Sequence, residues 1–124
     1  MNLKKYYQDL LNTNSDLVSL LGSGKIVSAY PQEVKHFPLV VYEDTNSSDV
    51  AYSDNLPEGT SAQVRIHIFT KTVKGYPTTN QIAELIHQTF RADFWACIMN
   101  QETSDVDDNI KHRVMDFRRE FYSL

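Results

Sequence analysis

The feature that most constrains the fold is an alternation of residue types between Ser61 and Lys71. Four apolar side chains fall on one side of an extended chain and four mixed ones on the other. At about 3.3 Å per residue such a strand reaches about 35 Å, which predicts the central strand of a sheet with one buried face. The apolar set is Ala62, Val64, Ile66 and Ile68, and the opposite set is Gln63, Arg65, His67 and Phe69.

A second strong pattern predicts an amphipathic helix at about residues 78–91. Thr78 and Gln81 have the spacing of a capping box, in which each side chain accepts from the backbone N–H of the other residue. Apolar residues then recur with the helical period, so this helix is expected to pack on the sheet. The apolar stripe consists of Ile82, Leu85, Ile86, Thr89 and Phe90.

The remaining segments complete a single α+β domain. Residues 3–11 have a helical pattern, and a short second helix, capped by Asn14 or Ser15, is expected to end at Gly22. We expect a largely antiparallel sheet of four to five strands, packed by the N-terminal helix and helix 78–91 on one face. The other face would carry Arg65, His67 and Arg118. The additional strands are predicted at Lys25–Tyr30, Leu39–Glu43, Trp95–Met99 and Ile110–Phe121, with a turn at 101–109.

The most polar stretch covers residues 45–60 and predicts a flexible functional arm. It is longer than an ordinary hairpin connection. Val50 and Tyr52 lie there among Ser and Asp residues, a pattern typical of a docking peptide that orders on meeting a neighbour. The candidate interface residues are therefore Asp49, Val50, Tyr52 and Asp54 in the arm, together with Lys71 and Lys74.

Composition excludes several classes of protein. A chain of 124 residues supports one core. Sixteen acids against twelve bases give a net charge of −4, without the basic stripe of a dedicated nucleic-acid binder. The apolar runs are too short to span a membrane, and the start of the chain turns polar too soon for a signal peptide. The single cysteine, Cys97, forms no internal disulfide and suits a reducing compartment.

No catalytic, cofactor or metal site is predicted. Asp105, Asp107 and Asn109 alternate like the start of a calcium loop, but Ile110 replaces the required Gly and Asp116 the bidentate Glu. A solvated hairpin tip is the better interpretation. Cys97 has no adjacent charge to lower its pKa, so it is interpreted as an inert thiol. No serine lies in a G-x-S-x-G elbow.

The histidines also lack metal-ligand spacing. His67 and His112 are expected to meet across paired strands, and each mixed face favours a surface or interface residue satisfied by a carboxylate or water. The four histidines are His36, His67, His87 and His112.

The order of segments resembles the tail-completion, or tail-terminator, proteins of long-tailed phages and prophages. The similarity extends over nearly the whole chain as a hydrophobic pattern. It is carried by Leu20-Leu21-Gly22, Ile26, Tyr30-Pro31, Phe37-Pro-Leu-Val-Val-Tyr42, Val64-Arg-Ile-His-Ile-Phe69 and His112-Arg-Val-Met-Asp-Phe117.

This resemblance implies a small α+β protein without catalytic residues. Its relatives assemble as a hexameric ring on the finished tail tube, stop tube growth and join the tail to the head connector. It implies three protein partners, namely further copies of the chain, a tail-tube protein and a head connector protein. DNA would pass through the ring without specific binding, and no membrane is involved. The expected location is the head-proximal end of the tail in the virion, after assembly in the host cytoplasm.

Three alternatives remain open from the sequence. The first is a subunit of a head-side connector ring. The second is a small intracellular enzyme whose site assembles from His67, His112 and the acids of residues 105–108. The third is a cytosolic adaptor or immunity-type binding module.

Overall fold

A computed structural model describes residues 2–22, 24–28, 36–53, 56–103 and 109–122, with backbone alone for 46–53, 56–58 and 122. Its strands form one sheet in the order β1-β2-β3-β5-β4. β1 runs parallel to β2 and the other three pairings are antiparallel, so the predicted α+β domain with a largely antiparallel sheet is confirmed. The helices are α1 (Leu3–Asn12), α2 (Ser15–Leu21) and α3 (Thr79–Ala92), and the strands are β1 (Lys25–Val27), β2 (Leu39–Ser53), β3 (Leu56–Lys71), β4 (Ala96–Glu102) and β5 (Ile110–Tyr122).

Helix α3 begins at the predicted capping box. Thr78 Oγ1 accepts from the Gln81 backbone N–H at 3.1 Å, and Gln81 Oε1 accepts from the Thr78 N–H at 2.9 Å. Ile82, Ile86 and Phe90 are fully buried against the sheet. We call the side of the sheet that carries this core the inner face and the opposite side the outer face.

The two N-terminal helices are joined to α3 through one side chain. Asn14 caps α2, because its Oδ1 accepts from the Leu17 backbone N–H at 3.0 Å. Its amide nitrogen donates to Thr89 Oγ1 at 2.9 Å and to the Leu85 carbonyl at 3.3 Å. The predicted stop of α2 is confirmed at Gly22, whose φ of +57° favours glycine.

β3 is the central strand, as the alternation predicts. Its apolar set, Ala62, Val64, Ile66 and Ile68, is fully buried on the inner face. Ile66 pairs with Met115 of β5 and Val64 with Phe117. The outer face differs from the expectation of a mixed surface, because it carries an apolar cluster of its own. Leu39, Val41 and Phe69 are buried there, since these alternate positions of β2 and β3 lie side by side.

The sequence predicted a connector at residues 45–60, whereas the structure has strands at 45–53 and 56–60. β2 and β3 continue through it as a hairpin, with pairs from Asn46–Gln63 to Ser53–Leu56. The ladder is interrupted by a bulge between Asp44 and Asn46. Backbone hydrogen bonds extend these strands. Their polar residues show no apolar alternation, so the strand predicted from the sequence ended at Glu43. The intervening Asp54 and Asn55 lie outside the described residues.

Two other predicted strands change their bounds. The strand expected at Lys25–Tyr30 is observed as Lys25–Val27, and residues 29 and 30 lie outside the described ranges. The strand expected at Trp95–Met99 runs as Ala96–Glu102 instead. Trp95 precedes it and points into the core, where its ring packs against Phe90 with a centroid separation of 5.5 Å.

Candidate functional site

The outer face carries a chain of hydrogen-bonded side chains from three strands and the residue after β4. Glu43 Oε1 lies 2.7 Å from His67 Nε2, and His67 Nδ1 lies 3.0 Å from His112 Nε2. His112 Nδ1 lies 3.1 Å from the hydroxyl of Thr103. The predicted meeting of His67 and His112 is confirmed: His112 pairs with Phe69 in the ladder, so the two histidines are diagonal neighbours.

The acceptors in this series of hydrogen bonds restrict where the ring hydrogens can lie. A carboxylate only accepts, so His67 Nε2 carries a hydrogen toward Glu43, and the two facing ring nitrogens share one further hydrogen. Burial, reinforced by the charge of His67, lowers the pKa of His112 from 6.5 to about 4. If both facing nitrogens carried a hydrogen, two N–H donors would lie against each other. The pair is therefore stable at neutral pH with His112 uncharged.

Contacts within the protein fix the orientation of both histidine rings. All four ring nitrogens of His67 and His112 have hydrogen-bond partners within the protein. Phe69 also stacks on His112, with ring centroids 4.2 Å apart. The acids of residues 105–108, which complete the enzyme alternative built on these two histidines, lie outside the described ranges.

An ion pair lies beside the histidines on the same face. Arg65 donates to both carboxylate oxygens of Asp116, at 2.9 and 3.0 Å. The Asp116 hydrogen bond raises the pKa of Arg65. Because Asp116 is buried and held by this arginine, it cannot serve as the twelfth residue of a calcium loop. Asp105 and Asp107 lie outside the described residues, whereas Asn109 is an exposed turn residue.

The predicted interface residues occupy opposite ends of the β2–β3 hairpin. Asp49, Val50 and Tyr52 lie in β2 near its turn, and Asp54 falls outside the described residues. Lys71 ends β3, and Lys74 is exposed in the following turn. The fourteen steps from Pro57, the partner of Tyr52, to Lys71 span about 45 Å of strand. The structure therefore does not bring the two groups together within one copy.

Lys71 borders a cavity of about 570 Å³ at the beginning of α3. Its ammonium lies over the rings of Phe37 and Tyr76, at 5.1 and 5.9 Å from their centroids. Across the cavity Thr79 donates to Glu102 at 2.9 Å and accepts from Arg113 at 3.3 Å. These contacts join β4, β5 and α3, so the polar groups of the cavity wall serve to hold the elements together.

A surface that the sequence analysis missed lies along β4. This strand is at one edge of the sheet, and Ile98 stands out at 52% exposure where the ladder shifts between Cys97 and Met99. Phe94, just before the strand, is 83% exposed and has a φ of 67°. A groove of about 430 Å³ runs between α3 and β4, with His87 and Arg91 on the helix side. A sequence pattern does not indicate which single apolar residues will be exposed, so this surface was not predicted.

Cys97 faces the same groove. Burial raises the pKa of its thiol, and Sγ donates to the Met99 carbonyl at 3.4 Å. The protonated thiol is a weak nucleophile, in agreement with the inert role expected from the sequence. Within the described ranges, no three His, Cys, Asp or Glu side chains are grouped to hold a metal ion. No helix in the described part of the chain is long and apolar enough to cross a membrane.

Comparison with known proteins gives a likeness of fold. No family model matches the chain, and no curated protein matches it significantly. Among solved structures, the fold is similar to that of a chain from the virion of a native gene transfer agent particle, with a TM-score of 0.61. The match covers 94% of this chain and 91% of the other at 11% sequence identity. At that identity the two chains share the α+β architecture described above.

Proposed function

We propose that this chain is a structural protein of a phage-like virion, with the role of a tail terminator. The observation that carries the proposal is the likeness of fold, over nearly the full length of both chains, to a chain of a gene transfer agent virion. The resemblance of the hydrophobic pattern to tail-completion proteins supports the finer assignment.

In this role, six copies form a ring on the end of the tail tube. One side of the ring contacts the tail-tube protein and the other contacts the head connector, at the head-proximal end of the tail. Six subunits of net charge −4 carry about −24 in total. Acidic side chains that face the channel repel DNA phosphates, so DNA passes through the ring without binding to it.

The test is electron microscopy of particles assembled without this chain. A tail terminator limits tube growth and supplies the head-docking surface, so overlong tails and unattached heads are expected. Supplying the wild-type chain in trans restores particles of normal length. Normal virions in the absence of the chain would contradict a virion role. Tails of normal length that fail to join heads would favour the head-side connector ring instead.

A further inference from the structure

The edge of β4 has the geometry of a strand-accepting site. Among the described residues, β4 has a strand neighbour only in β5, so its outer edge carries backbone donors and acceptors without a ladder. The groove between α3 and β4 runs along this edge. A strand placed there would gain main-chain hydrogen bonds, and it would cover part of Ile98, which is 52% exposed.

The opposite end of the sheet also has an open strand edge, which belongs to β2. β1 pairs with β2 only at residues 39–41. Beyond them, β2 continues to Ser53 with β3 on one side and, within the described ranges, no strand on the other. One copy therefore has two unlike open edges, at β4 and at the distal half of β2.

The charges of these two edges are complementary. Residues 42–53 of β2 contain three acids and neither lysine nor arginine. The residues that line the β4 groove include Arg91 and His87 and no acid. An acidic strand is therefore favoured at this edge over a basic one.

We infer that the β4 edge of one copy receives the distal half of β2 from a second copy as an added strand. This inference rests on the proposed ring and names the contact that builds it. Because the two edges differ, each copy donates at one and accepts at the other, which is the heterologous contact that generates a ring. The groove wall formed by His87 and Arg91 then faces the acidic hairpin of the neighbour.

Disulfide trapping tests this contact. In a Cys97→Ser background of the full chain, Asn100→Cys in β4 is combined with Thr45→Cys, Ser47→Cys or Asp49→Cys in β2. Facing residues on paired strands lie close enough for a disulfide, and three positions cover neighbouring registers. Within one copy β2 and β4 are three strand spacings apart, about 14 Å, so any disulfide that joins them must link two copies.

On oxidation, at least one double variant is expected to give a ladder that extends beyond the dimer on a non-reducing gel. The matching single variants give at most dimers, and an equimolar mixture of the two singles gives their heterodimer. A control pair replaces Asn100→Cys by Val18→Cys, at an exposed position on α2. If none of the three pairs exceeds this control, the edge contact is wrong.

Failure of this contact is distinguishable from failure of the proposed function. Missing cross-links together with overlong or headless tails in the absence of the chain would overturn the edge pairing alone. Normal virions without the chain, together with efficient cross-links, would overturn the virion role and leave the self-association in place.

Discussion

Protonation of His112 makes the stability of the protein depend on pH. Its pKa of about 4 in the folded chain lies below the 6.5 of an exposed histidine, so the unfolded chain binds a proton more readily between these values. The contribution of uncharged His112 to the free energy of unfolding is complete above about pH 6.5 and is lost as the pH falls toward 4. Since the ring is only half-buried, we expect a loss of about 1–2 kcal/mol in the free energy of unfolding over this window.

Chemical denaturation at a series of pH values between 4 and 7 measures this effect. His112→Gln removes the titrating group, so the slope over this window is expected to flatten in that variant. An equal slope in wild type and variant would show that other groups control the acid sensitivity.

The buried carboxylate of Asp116 gives a second prediction at the residue scale. Asp116→Asn keeps the shape but removes the charge that holds Arg65 in two hydrogen bonds. We expect the free energy of unfolding to fall by about 2 kcal/mol, since a hydrogen bond to a charged group contributes about 1.5–3 kcal/mol. Urea denaturation measures the change.

Asp9→Asn is the matched control for Asp116→Asn. Asp9 pairs with Lys5 at 2.8 Å, but both side chains are more than half exposed. Exposed ion pairs contribute little to stability, so this variant is expected to unfold nearly like the wild type. Equal losses in the two variants would mean that burial of Asp116 does not matter.

At the scale of elements, α3 depends on its cap. Thr78→Ala removes the oxygen that accepts from the Gln81 N–H and leaves a donor of the first turn without its partner. We expect a loss of about 1 kcal/mol in the free energy of unfolding, as for other threonine caps. Thr78→Ser retains the hydroxyl and should recover most of the stability. A Thr78→Ala protein as stable as wild type would show that tertiary packing alone fixes the helix start.

Sequence periodicity predicted those elements that have one face toward the core and the other toward solvent. The alternation at 61–71 and the stripe at 82–90 encode burial on one side, so β3 and α3 could be located from them. The outer half of the β2–β3 hairpin carries polar residues on both faces, and its pairing depends on backbone hydrogen bonds that every residue type can make. The meeting of His67 and His112 was predictable once their strands were paired. The β4 groove was not, because it is formed by residues from two separate elements.

At the scale of the whole molecule, folding and the proposed assembly are expected to depend on different parts of the chain. Deletion of residues 47–58 leaves the inner-face core intact, since Ile66, Met115 and Phe117 all lie outside the deleted segment. We expect cooperative thermal unfolding to persist in the deletion variant, whereas ring formation and tail joining are lost. Circular dichroism measures the first property and electron microscopy of complemented particles the second.

Lys71→Gln and Lys74→Gln test the other part of the candidate interface, at the far end of β3. If they impair assembly while the hairpin deletion does not, the interface lies at the lysine end of the hairpin. Assembly that is unaffected by the deletion would refute the role of the arm.

One contact ties the first helix to the last strand. Arg119 of β5 donates to the hydroxyl of Tyr6 at 3.1 Å, across 113 residues of sequence, and to the Asp93 carbonyl at 2.6 Å, across 26. During synthesis α1 leaves the ribosome early, and its apolar side has no complete surface to pack on until β5 emerges. Truncated translation products therefore keep that side exposed, which favours their aggregation or degradation.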